Sequence, residues 1–186
     1  MDKLREKIAI HTLKFLSNKS YENLSLEKIH KASKINKKIF YQIIQNKREL
    51  LKNINIYFDS LILLKSNTVD NSTKRDMIFE VIMIRFDILN NHRVSIIKIY
   101  NFLKKNPQVF TSLIPSFALS MKTMCKIAKI KDDHLFGNLK INGLLILYFL
   151  TFLVWIKDES ESLDKTMNAL DKYLDRADNL IKIINK

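Results

Sequence analysis

Residues 25–51 read SLEKIHKASKINKKIFYQIIQNKRELL, and the rest of the chain can be read outward from them. Ser25 is placed to cap a short helix over residues 26–32, and Asn36 to cap the next. Asn46, with Glu49 three residues on, has the spacing of a capping box. Three helix starts in so short a span predict two short helices and the opening of a longer one. Two short helices meeting at a tight turn make a helix-turn-helix, a unit whose second helix enters the major groove of DNA.

Charge supports that expectation locally more than globally. The chain has 186 residues with 32 Lys and Arg against 19 Asp and Glu, a net charge of +13. A chain this rich in Lys, Ile and Asn could gain lysines everywhere from an AT-biased genome, so the total is weak evidence of a polyanionic partner. The clustering says more: Lys28, Lys31, Lys34, Lys37, Lys38, Lys47, Arg48 and Lys52 stand against Glu49 alone. That is a phosphate-facing distribution.

In the second short helix Phe40 and Ile44 lie four apart and should face inward. Asn36, Lys37, Lys38, Ile39, Tyr41, Gln42 and the edge of Ile43 are then left for solvent or DNA. Lys38, Ile39 and Gln42 are candidates for reading base edges, because Gln pairs with adenine, Lys with guanine and an aliphatic side chain touches the thymine methyl. Ser25, Tyr41 and Lys47 are candidates for phosphate contacts that set register.

The segment resembles the DNA-binding domain of TetR-type bacterial transcriptional regulators. The resemblance is carried in order by Phe15-Leu16, Tyr21, Ser25, Ile29-His30, Ala32, Ile35-Asn36, Phe40-Tyr41 and Asn46-Lys47-Arg48-Glu49-Leu50. Departures are Ser20 and Lys34 where the family has turn glycines, Lys38 in place of a small residue, and Ile43 in place of a second aromatic. A non-glycine residue in a left-handed turn costs about 1 kcal/mol, which a folded domain absorbs. The resemblance implies a three-helix DNA-binding domain, residues 1–50, followed by a helical dimerisation and ligand-binding domain, residues 51–186.

Composition agrees with an all-α chain: two Gly and two Pro leave few devices for hairpins, and 47% apolar residues suffice for a core. Cys125 has no partner for an intramolecular disulfide, and residues 1–5 lead into a charged amphipathic pattern with no signal peptide. Both suit a bacterial cytoplasm. The apolar run over residues 144–156 falls short of the ~20 residues that span a bilayer, so no membrane span is expected.

Helical periodicity continues along the chain. Residues 2–17 should cover the helix-turn-helix with Leu4, Ile8, His11 and Phe15, and residues 47–65 should form a long helix with Leu50, Leu51, Ile54, Phe58 and Ile62 inward. Residues 66–73 are polar and turn-rich. Helices are expected over 74–92 and 95–105, then a break at Asn106-Pro107, a helix begun or kinked by Pro115 that runs to about 130, and a turn at Lys131-Asp132-Asp133. Met83, Phe86, Phe102, Phe117, Met121 and Met124 are candidates for lining an apolar pocket. Helices over 139–157 and 161–184 resemble the pair that forms the dimer interface in TetR-type proteins, which makes Leu147, Leu150, Val154, Met167, Leu170 and Leu174 interface candidates.

The body also resembles the carboxy-terminal domain of a proteobacterial TetR subgroup. The pattern Trp155, Asp158, Ser160, Thr166 is similar to the lipid-binding proteins of coenzyme Q biosynthesis, which have a TetR-like fold and no gene-regulatory role. Catalytic and metal chemistry is not indicated. The four histidines have no ligand spacing, and there is no glycine-rich phosphate loop, nucleophile elbow or evident Cys-His pair. The expectation is a non-enzymatic homodimeric regulator that binds double-stranded DNA and a small apolar or lipid-like effector, with no cofactor and no metal. A lipid-binding protein is the alternative.

Overall fold

The computed structural model describes residues 2–69, 72–130 and 137–184. Among the described residues there are nine α-helices, one short 3-10 helix over Ser66–Thr68 and no strand. The helices are α1 Lys3–Asn18, α2 Leu26–Ser33, α3 Lys37–Ile43, α4 Lys47–Lys65, α5 Lys74–Asn90, α6 Arg93–Lys105, α7 Pro107–Ile127, α8 Gly137–Trp155 and α9 Asp164–Ile184. The expected turn at Lys131-Asp132-Asp133 lies outside the described residues.

Each early helix starts where a polar side chain satisfies its exposed amides. Asp2 Oδ1 accepts from the Leu4 amide at 3.1 Å, Ser25 Oγ from Lys28 at 3.2 Å, and Asn36 Oδ1 from Lys38 at 3.0 Å. Asn46 Oδ1 accepts from Glu49 at 3.1 Å, but the Glu49 carboxylate pairs with Lys52 at 2.9 Å, so one arm of the expected capping box is built. Pro107 opens α7, where a missing N–H costs nothing, and the helix runs on through Pro115 instead of beginning there.

The chain divides into two compact units, one of residues 1–64 with 87–120 and one of residues 65–86 with 121–186. This division does not coincide with a boundary after residue 50, because α4 and α6 pack with the helices that precede them. Asn53 Nδ2 donates to the Arg5 carbonyl at 2.7 Å and Ser95 Oγ to the Leu13 carbonyl at 2.8 Å. In the same unit Asn55 Nδ2 donates to Ser116 Oγ at 3.0 Å and Ser120 Oγ at 2.8 Å, and Ser120 Oγ donates to Asp59 at 2.7 Å, a polar seam between α4 and α7. Ile8, Leu13, Leu16, Leu24, Ile29, Phe40, Ile44 and Leu50 fill the core beneath.

The second unit is built around Phe86, Tyr148 and Trp155. Phe86 lies 5.5 Å from the Tyr148 ring and 6.3 Å from Trp155, and the buried Arg85 donates from Nε to the Tyr148 hydroxyl at 3.2 Å. Arg75 ties α5 to α9 through Asp171 at 2.7 Å and Asp175 at 2.6 Å, two acids one turn apart. Helix α8 begins well before the apolar run seen in the sequence, so its 19 residues, with a mean hydropathy of 1.5 over the most apolar 18-residue window, are long and apolar enough to cross a membrane. Length and composition also suit a core helix, and Tyr148, Thr151 and Trp155 are buried here against the chain itself.

Candidate nucleic-acid interface

Helices α2 and α3 are joined by Lys34, Ile35 and Asn36. Lys34 ends α2 in the left-handed conformation (φ 50°, ψ 34°), which is where the sequence lacks the expected glycine. Ile35 then dips into the core and Asn36 caps α3. The turn is thus made in full, with Lys34 bearing the strain of its Cβ.

Helix α3 places its residues in two sets. Phe40, with Ile44 just beyond the helix, is fully buried, which leaves Lys37, Lys38, Ile39 and Gln42 exposed together, with Ile39 at 41%. An aliphatic side chain left partly exposed between two lysines and a glutamine gives this face the mixed polar and apolar character that base reading in the major groove uses. Tyr41 is half-buried, its ring 5.2 Å from Phe40 and 6.0 Å from His30, so its direction is set by aromatic neighbours. Asn36 is more constrained than the sequence indicates: its Oδ1 is engaged by the Lys38 and Ile39 amides at 3.0 and 3.4 Å. It therefore lacks the acceptor needed for a bidentate adenine contact. Ser25 Oγ likewise serves as a cap acceptor, with its hydroxyl proton left to donate.

Packing also sorts the lysines. Lys28 donates to the Asn23 carbonyl at 2.8 Å and lies over Phe15, Lys31 pairs with Glu27 at 2.6 Å, and Lys52 with Glu49. Lys34, Lys37, Lys38 and Arg48 are exposed, with no side-chain hydrogen bond or ion pair among the described residues. Lys47 holds its Nζ 5.8 Å from the Tyr21 ring. Burial pushes the Tyr21 hydroxyl up to about 12, against the opposing charge of Arg48.

One group escaped sequence reasoning. Phe102, expected among pocket residues, is stacked on Tyr21 with centroids 3.8 Å apart, in the unit of the helix-turn-helix. One face of its ring is thereby taken up by Tyr21, and the end of α6 is brought to the segment joining α1 and α2. Phe117 also belongs to this unit. No local pattern signals such a pairing, because the partners are far apart in sequence.

Met83, Phe86, Met121 and Met124 lie in the second unit, the last three fully buried and Met83 half-buried. A cleft there, lined by Lys122, Cys125, Lys126 and Lys140 among others, encloses about 20 Å³, room for a water molecule. Of the interface candidates, Leu150 and Met167 are exposed and Val154 is half-buried, whereas Leu147, Leu170 and Leu174 point into their own unit. The stripe that does face outward on α8 is Leu139, Ile146, Leu150 and Leu153, beside Gly143 with open space at its Cα.

The motif of Trp155, Asp158, Ser160 and Thr166 forms the connection between α8 and α9. The Asp158 carboxylate accepts from the Ser160 amide at 3.2 Å and hydroxyl at 2.6 Å, and from the Thr166 amide at 2.8 Å and hydroxyl at 2.7 Å. Ser160 Oγ in turn accepts from the Asp164 amide at 3.0 Å. Its residues cap a helix, and that work shapes the loop whatever the protein binds.

No family model and no curated protein matches the sequence. Solved structures do. A TetR transcriptional regulator from Nitrosomonas europaea ATCC 19718 is similar with a TM-score of 0.73 and 19% identity, over 95% of this chain and 98% of that one. A TetR transcriptional regulator from Rhodococcus sp. RHA1 is similar with a TM-score of 0.63 and 13% identity, over 92% and 96%. At these identities it is the backbone arrangement that is shared, and the chain has the all-helical fold of TetR-type transcriptional regulators.

Proposed function

We propose that the chain is a TetR-type transcriptional regulator, acting as a repressor, that binds a palindromic operator as a homodimer and is released by a small apolar or lipid-like effector. The observation that carries this reading is the exposed face of α3, where Lys37, Lys38, Ile39 and Gln42 stand clear while Phe40 and Ile44 anchor the helix from behind. Lys38, Ile39 and Gln42 read bases; Lys37, Tyr41, Lys47 and the Ser25 hydroxyl hold phosphates; Asn36 sets the start of the helix. The apolar stripe of α8, with Met167 of α9, supplies the self-association that two half-sites require.

An effector acts by binding one arrangement of the dimer more tightly than the other. Met83, Met121 and Met124, in the same unit as Phe86, suit that role, since methionines repack around an apolar guest. The experiment is binding of the purified protein to its own promoter duplex and to scrambled duplex across a salt series. Specific binding by a dimer that survives competitor supports the regulator. Weak, salt-labile, sequence-blind binding, with lipid retained on purification, transfers the fold to the lipid-binding reading.

A further inference from the structure

A second cationic surface adjoins the helix-turn-helix and belongs to α6. Phe102 is stacked on Tyr21 at 3.8 Å, and Lys98 Nζ donates to the carbonyls of Ser17 at 2.9 Å and Lys19 at 3.4 Å, closing the C-terminal turn of α1. These contacts hold the last turns of α6 against the segment that joins α1 to α2. The start of α4 reaches the same place: Lys47 Nζ lies 5.8 Å from the Tyr21 ring. Glu22, next in the chain, has its carboxyl held below the usual range by its own backbone amide and the Ser20 hydroxyl, and it also feels both Lys105 and Lys47. Helix α6 ends in Lys104 and Lys105, both exposed. The cations that open α4 and Lys105 at the end of α6 therefore approach the same segment of the unit, around Tyr21 and the exposed Glu22.

We propose that Lys104 and Lys105 are a second phosphate contact of the DNA reader, gripping the duplex backbone just outside the base pairs that α3 addresses. The inference rests on the DNA-binding reading and lengthens its footprint. Lysines in a last turn also suit the helix dipole. That role alone changes stability and leaves salt dependence untouched, so the two are separable.

The experiment compares the wild type, Lys104→Ala/Lys105→Ala, and Lys165→Ala/Lys172→Ala, which removes the same charge from exposed positions of α9. Binding is measured across a salt series on a promoter duplex that extends well past the operator and on one trimmed to it. The expected result is a log–log salt slope shallower by about 1 to 2 per bound chain for the α6 variant on the long duplex, from about 0.9 per phosphate contact. Its slope on the trimmed duplex and its sequence preference match the wild type, any lost dipole interaction shows only in its melting temperature, and the α9 variant matches the wild type in slope on both duplexes. An unaltered slope on the long duplex, equal losses on both duplexes, or the same loss in the α9 variant each overturns the proposal. Failure of the wild type to prefer its promoter defeats the regulator reading itself, whereas specific binding with an unaltered slope defeats this inference alone.

Discussion

Replacing Asp158 by asparagine keeps the shape of the α8–α9 connection and removes its charge. The carboxylate is 1% exposed and accepts four hydrogen bonds, two from Ser160 and two from Thr166. Burial pushes its pKa up, and those hydrogen bonds more than reverse the push, leaving it at about 2 against an ordinary 3.8. A difference of that size corresponds to about 2 kcal/mol favouring the folded, ionised form. An asparagine accepts through one oxygen only and turns an amide toward the Thr166 donors, a loss of about 2–4 kcal/mol for two charge-assisted bonds. Because the folded pKa lies below the unfolded one, the contribution is full above the unfolded value and is lost as pH falls from 3.8 toward 2. Urea unfolding at fixed protein concentration should therefore show the Asp158→Asn variant less stable by about 2–3 kcal/mol at neutral pH, with the gap to wild type narrowing below about pH 4. A gap under about 0.5 kcal/mol at neutral pH, or one that stays constant on acidification, refutes the idea that this carboxylate caps α9 as an ion.

Lys34→Gly relieves the left-handed strain at the end of α2 and should raise stability by about 0.5–1 kcal/mol after the entropy of glycine is counted, read as a higher urea midpoint with unchanged slope. Ile146→Glu with Leu150→Glu places two charges in the outward stripe of α8; sedimentation should show monomers with an intact helical spectrum, and an undisturbed oligomer would remove that face from the interface. Lys47→Ala should weaken binding to every duplex alike and lower the salt slope by about 1, while Gln42→Ala should shift sequence preference; sequence-blind effects from both would end the claim that α3 reads bases.

Most of the helix-turn-helix was legible in residues 25–51, because capping and apolar periodicity act within four residues and leave their mark on adjacent letters. Ser25, Asn36 and Asn46 cap as expected, Phe40 and Ile44 turn inward, and α4 spans Lys47–Lys65 as its periodicity indicated. What lay beyond local pattern was the use to which each side chain is put. A lysine looks the same in a string whether it is engaged by Asn23 and Glu27, as Lys28 and Lys31 are, or left exposed, as Lys38 is. Both faces of the very apolar α8 read alike, so the inward turn of Leu147 and the outward turn of Ile146, 62% exposed, depended on where Phe86 and Trp155 packed. Phe102 on Tyr21, and Arg75 on Asp171 and Asp175, join residues far apart in the chain, and such pairings are selected by the entropy and fit of the whole fold. Local hydrogen bonding thus specified the helices and their ends, and long-range packing specified which of their charges face outward.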